Sequence, residues 1–257
     1  MADEQTFFFD AGALARLAEQ QAATYRSAEP FPHFAVDDFL PAWVTQRIVR
    51  EFPDPQQIAW RQYDDSNQKK LANELESQLG PFTRHVIAQL HSSTFITFLE
   101  QLTGIDGLIP DPHLRGGGLH QIKPGGLLKV HADFNWYPRL KLDRRLNLLL
   151  YLNEDWKEEY GGHLELWDRE VTRCERRVLP LFNRCVVFNT TDFAFHGHPE
   201  PLTCPAGRTR KSLALYYYSN GRPPAEMADP HTTQFRDRPT DPRRLNLQTL
   251  LEKLRIK

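Results

Sequence analysis

The stretch from Leu114 to Tyr218 most limits the folds open to this chain. It holds short apolar and aromatic runs separated by glycine- and proline-containing turns, with no helical pattern between them. Short strands joined by turns favour a β-sandwich or barrel over a parallel sheet with crossover helices. The strands predicted in this stretch are 118–123, 127–131, 146–152, 163–167, 176–179, 184–188, 193–196 and 210–218.

The flanking segments carry different patterns. Helical spacing predicts helices over 10–26, over about 41–52 and, as two or three helices, over 71–104, while 33–36 is a short strand and 53–70 a polar loop. We therefore predict a fold that is mainly β with helical support (α+β). Its three parts are a mainly helical support region at 1–104, a β core at 105–219, and a polar segment with a C-terminal helix at 220–257.

Bulk properties exclude some classes of function. The 257 residues carry a formal net charge of -1, so no general attraction to nucleic acid is expected. No apolar run has the length needed to cross a membrane, and the N-terminal apolar run is short for a secretory signal. Three cysteines, Cys174, Cys185 and Cys204, fit no zinc spacing. We expect reduced thiols and a cytoplasmic protein.

Two histidines and one aspartate form a candidate metal site. His131 and Asp133 are two residues apart at a predicted strand end, so their side chains point the same way. His196 can complete a face of two imidazoles and one carboxylate, which suits non-haem iron(II) and leaves coordination positions open. His198 also lies on this segment and is the alternative third ligand. Lesser candidates for extra ligands are His113, His120 and His163.

A basic residue at the start of the last predicted strand is a candidate anion site. Arg210 opens an otherwise apolar and aromatic run, and by alternation it shares a face with Ser212, Ala214 and Tyr216. A guanidinium beside a hydroxyl is a good receptor for a carboxylate. Arg208 lies two residues earlier and is the alternative.

From about residue 30 to 219 the chain resembles the iron(II)/2-oxoglutarate-dependent oxygenases, in their prolyl 4-hydroxylase-like branch. The motifs that carry the resemblance are 131–133 (HAD), 148–153 (LLLYLN), 161–166 (GGHLEL), 186–189 (VVFN), His196 and 210–212 (RKS). The resemblance implies a double-stranded β-helix, or jelly-roll, barrel as the catalytic core. It also implies Fe(II) as cofactor, 2-oxoglutarate and O2 as cosubstrates, and hydroxylation of a C–H bond with release of succinate and CO2.

The resemblance assigns roles to individual residues. It implies that His131, Asp133 and His196 hold the iron and that Arg210 binds the far carboxylate of 2-oxoglutarate. The position where relatives place a tyrosine against the cosubstrate falls on Leu150, so Ser212 or Gln121 is expected to supply the second contact. The residues expected to meet the substrate are Arg115, Asn135, Trp136 and Tyr137.

The sequence predicts the substrate and the oligomeric state only in general terms. The expected substrate is a prolyl residue, a proline-like small molecule or another small molecule, and the protein is expected to be a monomer or homodimer. The alternative is a non-catalytic or differently metallated cupin-like binding protein on the same fold, since a fold does not fix a function. Asp133 disfavours a halogenase, which needs that position vacant for halide.

Overall fold

The computed structural model describes residues 7–242, which contain four α-helices. Asp10 caps the first helix by accepting a hydrogen bond from Ala13 N–H at 2.6 Å, and Gly104 ends the fourth in the left-handed conformation at φ 75°. Both signals confirm the helix ends predicted from sequence. The helices are α1 Ala11–Arg26, α2 Ala42–Glu51, α3 Pro81–Leu90 and α4 Ser93–Thr103.

The strands form two antiparallel sheets in a jelly-roll arrangement. The larger sheet has the order β1-β11-β8-β13-β5-β3-β2, with β4 added to β13 and β7 added to β8; the smaller has the order β10-β9-β12-β6-β14. The strands are β1 His33–Val36, β2 Arg61–Asp64, β3 Lys69–Asn73, β4 Ile109–Pro110, β5 Gly118–Ile122, β6 Leu128–Ala132, β7 Trp136–Tyr137, β8 Leu142–Tyr151, β9 Leu164–Trp167, β10 Cys174–Val178, β11 Cys185–Asn189, β12 His196–His198, β13 Arg210–Ser219 and β14 Gln234–Phe235.

Strand β8 shows how the large sheet is buried on both faces. Leu146, Leu148 and Leu150 belong to the hydrophobic core that includes the helix residues Val44 and Ile48. The intervening positions Asn147, Leu149 and Tyr151 project to the opposite face, toward the smaller sheet. This arrangement explains the nearly continuous apolar run that the sequence shows at this strand. The helices thus back the sheet whose inner face builds the site.

A β-hairpin replaces the predicted loop over 53–70. Strands β2 and β3 pair with each other, and β3 pairs with β5, so the hairpin extends the large sheet. The predicted helical region at 71–104 accordingly begins only at α3. The polar side chains misled the prediction because strand pairing uses the backbone, and β2 is a largely exposed edge strand. The N-terminal 104 residues are therefore not helical support alone.

The segment predicted as a strand over 193–196 also differs. Residues 193–195 lie outside the sheet, and the strand is β12, in which His196 pairs with His131. The prediction placed a strand here because Phe193 and Phe195 are apolar. Both side chains instead pack in a separate cluster with Val130 and Ala132. The pairing of β12 with β6 sets the two histidines side by side.

Beyond β13 the chain returns to the site. Residues 220–242 are mostly irregular, as predicted, but β14 adds to the edge of the smaller sheet, where Phe235 pairs with His131. The C-terminal helix predicted from Pro242 onward falls on residues after 242, which lie outside the described residues. Among residues 7–242, no helix combines the length and apolar character needed to cross a membrane.

Candidate active site

Three predicted ligands meet on the inner face of the smaller sheet. His131 lies on β6, Asp133 follows that strand, and His196 starts the neighbouring β12. His131 Nε2 is 3.7 Å from Asp133 Oδ1, and His196 Nε2 is 3.5 Å from Asp133 Oδ2. One ligand atom from each residue lies within 4.8 Å of the other two. This geometry lets all three donors reach a single ion.

The tautomers of both histidines leave the correct nitrogen free for a metal. His131 Nδ1 is 2.7 Å from the carbonyl of Lys129, and His196 Nδ1 is 2.9 Å from the carbonyl of Ala194. A carbonyl only accepts, so each Nδ1 donates to the backbone, and each Nε2 is the nitrogen turned toward Asp133. Burial lowers the pKa of His196 to about 4, so that ring is neutral near pH 7.

Two residues of β8 hold the carboxylate of Asp133. Arg144 donates to Oδ2 at 2.9 Å, and the side-chain amide of Asn147 donates to the same oxygen at 2.7 Å. Burial alone raises the pKa of Asp133, but the Arg144 guanidinium and the two imidazoles outweigh it and hold the pKa well below its usual range. The carboxylate is ionised, with Oδ1 left toward His131. Two imidazoles and one anchored carboxylate are a donor set that fits Fe(II).

An inner cavity extends from this cluster between the two sheets. Arg210 lies in it, buried, and donates from Nε to the carbonyl of Gly162 at 2.8 Å and from a terminal nitrogen to the Tyr151 hydroxyl at 3.2 Å. Ser212 lines the same cavity two residues further along β13. The guanidinium and the serine hydroxyl thus line a space that opens onto the candidate metal ligands, as a carboxylate site requires, and the Tyr151 phenol contacts that guanidinium.

An outer cleft of about 490 Å³ opens from the same cluster to solvent. Its walls come from the β2–β3 hairpin, from the loops before β5 and after β6, and from the segment that contains β14. The aromatic side chains that line it are Tyr63, Phe134, Tyr137, Tyr216 and Phe235. The candidate metal ligands therefore lie between an inner cavity and an open cleft, an arrangement that separates a small cosubstrate from a larger substrate.

Comparison with known proteins identifies this architecture. Residues 117–218, which span β5 to β13, match the family model of the 2OG-Fe(II) oxygenase superfamily. The matched segment contains the three candidate ligands and Arg210. The part of the chain that builds the candidate site is therefore similar to the 2OG-Fe(II) oxygenases.

The proteins that this chain is similar to include prolyl hydroxylases. A curated relative, prolyl 3-hydroxylase OGFOD1 of Mus musculus, is 24% identical over 239 residues; the match covers 87% of this chain and 42% of that protein. A Pseudomonas putida prolyl-4-hydroxylase superposes with a TM-score of 0.56 at 18% identity, covering 81% of this chain and all of that one. A Trichoplax adhaerens prolyl hydroxylase, solved with a hypoxia inducible factor peptide fragment, gives 0.56 at 15% identity, over 81% and 91% of the two chains. The predicted fold, a double-stranded β-helix with outer helices, is confirmed.

The fold separates the two histidines that the sequence left as alternatives. His196 belongs to the cluster of possible metal ligands, whereas His198 does not. On β12 His196 pairs with His131, whereas His198 pairs with Leu128 after a shift in register. His198 is buried with both ring nitrogens lacking a hydrogen-bond partner among the described residues, and it lines the inner cavity with Arg210.

The lesser candidates also lie outside the ligand cluster. His120 lines the inner cavity, where its Nε2 is 3.1 Å from the carbonyl of Gly116. His163 contacts Glu158 at 2.8 Å, and the ring of His113 stacks edge-on against Tyr137. Among the described residues, only His131, Asp133 and His196 form a group with ligand geometry.

The predicted cosubstrate contacts require two corrections. Leu150 packs in the core with the helices, and the neighbouring Tyr151 is the residue that reaches Arg210. Gln121 faces away from the inner cavity, because on β5 it is His120 and Ile122 that line it. Its amide donates to Pro53 and its carbonyl oxygen accepts from Thr209. Arg208, the alternative to Arg210, lies outside this cavity and donates to the carbonyl of Glu154 at 2.8 Å.

Two of the four predicted substrate residues line the outer cleft. Arg115 and Tyr137 border it, with the guanidinium carbon 4.9 Å from the ring centre. Trp136 alternates with Tyr137 on β7 and therefore projects away from the cleft. Asn135 is buried and bonds to the backbone of a later segment. It donates to the carbonyl of Asp229 at 3.0 Å and accepts from His231 N–H at 2.9 Å. Asn135 thus fixes the segment that precedes β14.

Several residues of the site escaped prediction from sequence. The side chains that join the predicted ones are Lys70, Tyr151, Arg144, Asn147 and Phe235. Lys70 borders both cavities from the hairpin that was predicted as a loop. Arg144 and Asn147 sit three residues apart on β8, and a charged residue inside an apolar strand is the one signal that could have indicated them.

Proposed function

We propose that this protein is a hydroxylase that uses Fe(II) and 2-oxoglutarate to oxidise a C–H bond of a prolyl residue or proline-like group. The observation that carries the proposal is the junction of the ligand cluster with the inner cavity of Arg210 and the open outer cleft. A metal, a dicarboxylate and a substrate can each occupy a separate place around one centre. The prolyl hydroxylases among its relatives support the choice of proline.

The metal site in this proposal consists of His131, Asp133 and His196. Fe(II) bound there together with 2-oxoglutarate would supply the oxidising chemistry, in which the cosubstrate leaves as succinate and CO2. The protein would hold the ligands in place before the metal arrives, because Lys129, Ala194, Arg144 and Asn147 already fix their orientation. Such prior orientation limits the cost of ordering on binding.

The inner cavity would hold 2-oxoglutarate. Arg210 keeps N–H donors beyond those given to Gly162 and Tyr151, and these would bind the far carboxylate. Burial raises the pKa of Tyr151, so its hydroxyl stays protonated and can donate to the same carboxylate. Ser212 adds a third donor. In this buried cavity such charge-assisted hydrogen bonds are strong and directional.

The outer cleft would position the substrate beside the metal ligands. Phe235 packs against His131 at a tilt, with ring centres 5.5 Å apart, and Tyr216 lies near Arg144, so aromatic rings line the cleft up to the ligand cluster. These faces suit a pyrrolidine ring, which buries apolar surface on aromatic side chains. They also keep water from the centre.

Turnover on a prolyl substrate panel tests the proposal. Purified protein with Fe(II) and 2-oxoglutarate should release succinate and add one oxygen atom to a prolyl peptide or to a proline derivative, detected by mass spectrometry. The control is Asp133→Ala, which should do neither. Protein that binds metal and 2-oxoglutarate yet consumes no cosubstrate with any substrate would point to the cupin-like binding protein instead.

The cellular setting is a separate proposal. The three cysteines are free, with Cys185 and Cys204 buried, which supports a reducing, cytoplasmic location. The absence of nucleic acid as a partner and the choice between monomer and homodimer remain predictions.

A further inference from the structure

The outer cleft carries an excess of positive charge that the chemistry of hydroxylation does not require. Five cationic side chains and two carboxylates line it, a formal excess of three in a protein whose net charge is -1. The cationic residues are Arg61, Lys70, Arg115, Arg139 and Arg144, and the carboxylates are Glu74 and Asp133.

Both carboxylates are already engaged. Asp133 accepts hydrogen bonds from Arg144 and Asn147 and belongs to the metal ligands. Glu74 accepts from the backbone N–H of Gly116 at 2.7 Å and lies 3.9 Å from Arg61. Glu74 and Asp133 therefore compensate the positive charges of Arg61 and Arg144. Within the described residues, Lys70, Arg115 and Arg139 have no carboxylate within 4 Å.

The three remaining cations are spread along the cleft. Lys70 lies where the cleft meets the inner cavity, and Arg139 is exposed at the rim. Arg115 is held in place: its guanidinium carbon lies 4.9 Å and 5.2 Å from the ring centres of Tyr137 and Phe134. Stacking on two rings orients a guanidinium while leaving its edge free for hydrogen bonds.

Cofactor binding does not remove this excess. The two positive charges of Fe(II) are matched by the two negative charges of 2-oxoglutarate, so the loaded site keeps the same formal sum. A neutral or cationic substrate would leave the cations of the cleft uncompensated as it displaced water from them. An anionic substrate would satisfy them and would also be drawn in by the field.

We propose that the substrate of this oxygenase carries a carboxylate close to the carbon that is oxidised, and that Arg115 is its principal partner. The carboxylate belongs either to an acidic residue beside a peptidyl proline or to a small proline-like acid. This inference rests on the proposed function, because it assigns the outer cleft to the substrate. It adds a charge requirement that neither the family nor the ligand cluster dictates.

Binding measured without turnover provides the test. Calorimetry would use protein loaded with Mn(II) and 2-oxoglutarate and three blocked peptides that share a central proline, with glutamate, glutamine or lysine on both sides. A second pair, L-proline and L-prolinamide, places the carboxylate on the small molecule itself. We expect at least a tenfold preference for the glutamate peptide over the lysine peptide, or for proline over prolinamide, and the preferred pair identifies the source of the carboxylate. The preference should shrink as salt is added.

Variants at Arg115 then assign the effect to one residue. Arg115→Gln should weaken binding of the acidic ligand about tenfold, a typical effect of losing a charge-assisted contact. Arg115→Glu should reverse the order of the glutamate and lysine peptides. Arg115 is exposed, so both variants should fold, which their melting temperatures would check. The matched control is Arg84→Gln on the exposed face of α3, which should leave binding unchanged.

The outcomes separate this inference from the proposed function. Equal or tighter binding of the neutral or basic ligands, or an unchanged preference in Arg115→Glu, would overturn the charge requirement even where succinate is released normally. Release of succinate is scored independently, with Asp133→Ala as its control. A protein that prefers the acidic ligand but never consumes 2-oxoglutarate would retain the binding inference while the proposed hydroxylase fails.

Discussion

Arg144 donates to Oδ2 of Asp133 at 2.9 Å, while the other carboxylate oxygen is left toward His131. Both residues are inside the protein, yet Arg144 comes from the large sheet and Asp133 from the end of a strand in the small one. The ion pair therefore bridges the two layers at the metal site. Asn147 reinforces it by accepting from Arg144 and donating to Asp133. Arg144 and Asn147 therefore hold the Asp133 carboxylate in place before any metal binds.

The first prediction concerns this support. Asn147→Ala should weaken Mn(II) binding about tenfold, because a metal ligand that loses its outer hydrogen bond commonly costs ten- to hundredfold in affinity. The affinity is measured by titrating Mn(II) into the protein in a calorimeter. Asn73→Ala offers a control, since Asn73 is also a buried asparagine but bonds within its own turn. Equal metal affinity in both variants would show that Arg144 alone suffices.

The second prediction separates His196 from His198. His196→Ala should abolish stoichiometric Mn(II) binding and turnover, because it removes one of three ligands. His198→Ala should keep metal binding, because this ring lies outside the ligand cluster. Metal content by atomic absorption and succinate release give the two readouts. Loss of metal in His198→Ala, with retention in His196→Ala, would transfer the third ligand to His198.

The third prediction concerns the cosubstrate. Arg210→Ala should raise the 2-oxoglutarate concentration needed for half-maximal binding about ten- to hundredfold, matching about 1.5 to 3 kcal/mol for hydrogen bonds to a charged group. Lysine at this position should restore only part of the affinity, since it lacks the planar fork. Arg208→Ala is the control and should bind 2-oxoglutarate normally, because Arg208 bonds the backbone outside the cavity. The opposite pattern would assign the carboxylate to Arg208.

The fourth prediction concerns the aromatic wall of the cleft. Phe235→Ala should raise the KM for the substrate about fivefold or more, because it removes a ring that lines the cleft beside His131. Slow consumption of 2-oxoglutarate without substrate should persist. Trp136→Ala should change the KM by less than about twofold, because the indole projects away from the cleft.

Kinetics of substrate-driven succinate release compare the two variants, and melting temperatures check that both fold. A large rise in KM for Trp136→Ala alone would place the substrate on the other side of β7 and would contradict the position of the cleft.

Local chemistry determined much of this protein from sequence alone. The turns and strand patterns indicated a β-sandwich or barrel because side-chain alternation and glycine conformations act over a few residues. His131, Asp133 and Arg210 could be named because two-residue spacing fixes their relative direction in a strand. Likewise, the buried strand β8 was recognisable from its unbroken apolar run.

Tertiary structure decided everything that depends on contacts between distant segments. The pairing of β12 with β6 places His196, and not His198, beside His131, and pairing with β5 makes the polar stretch a hairpin that carries Lys70. The return of residues 220–242 brings Phe235 onto His131, more than one hundred positions apart in the chain. Backbone hydrogen bonds between strands form whatever the side chains are. A local sequence pattern therefore does not predict which strands pair. The outer cleft depends on these contacts between distant segments.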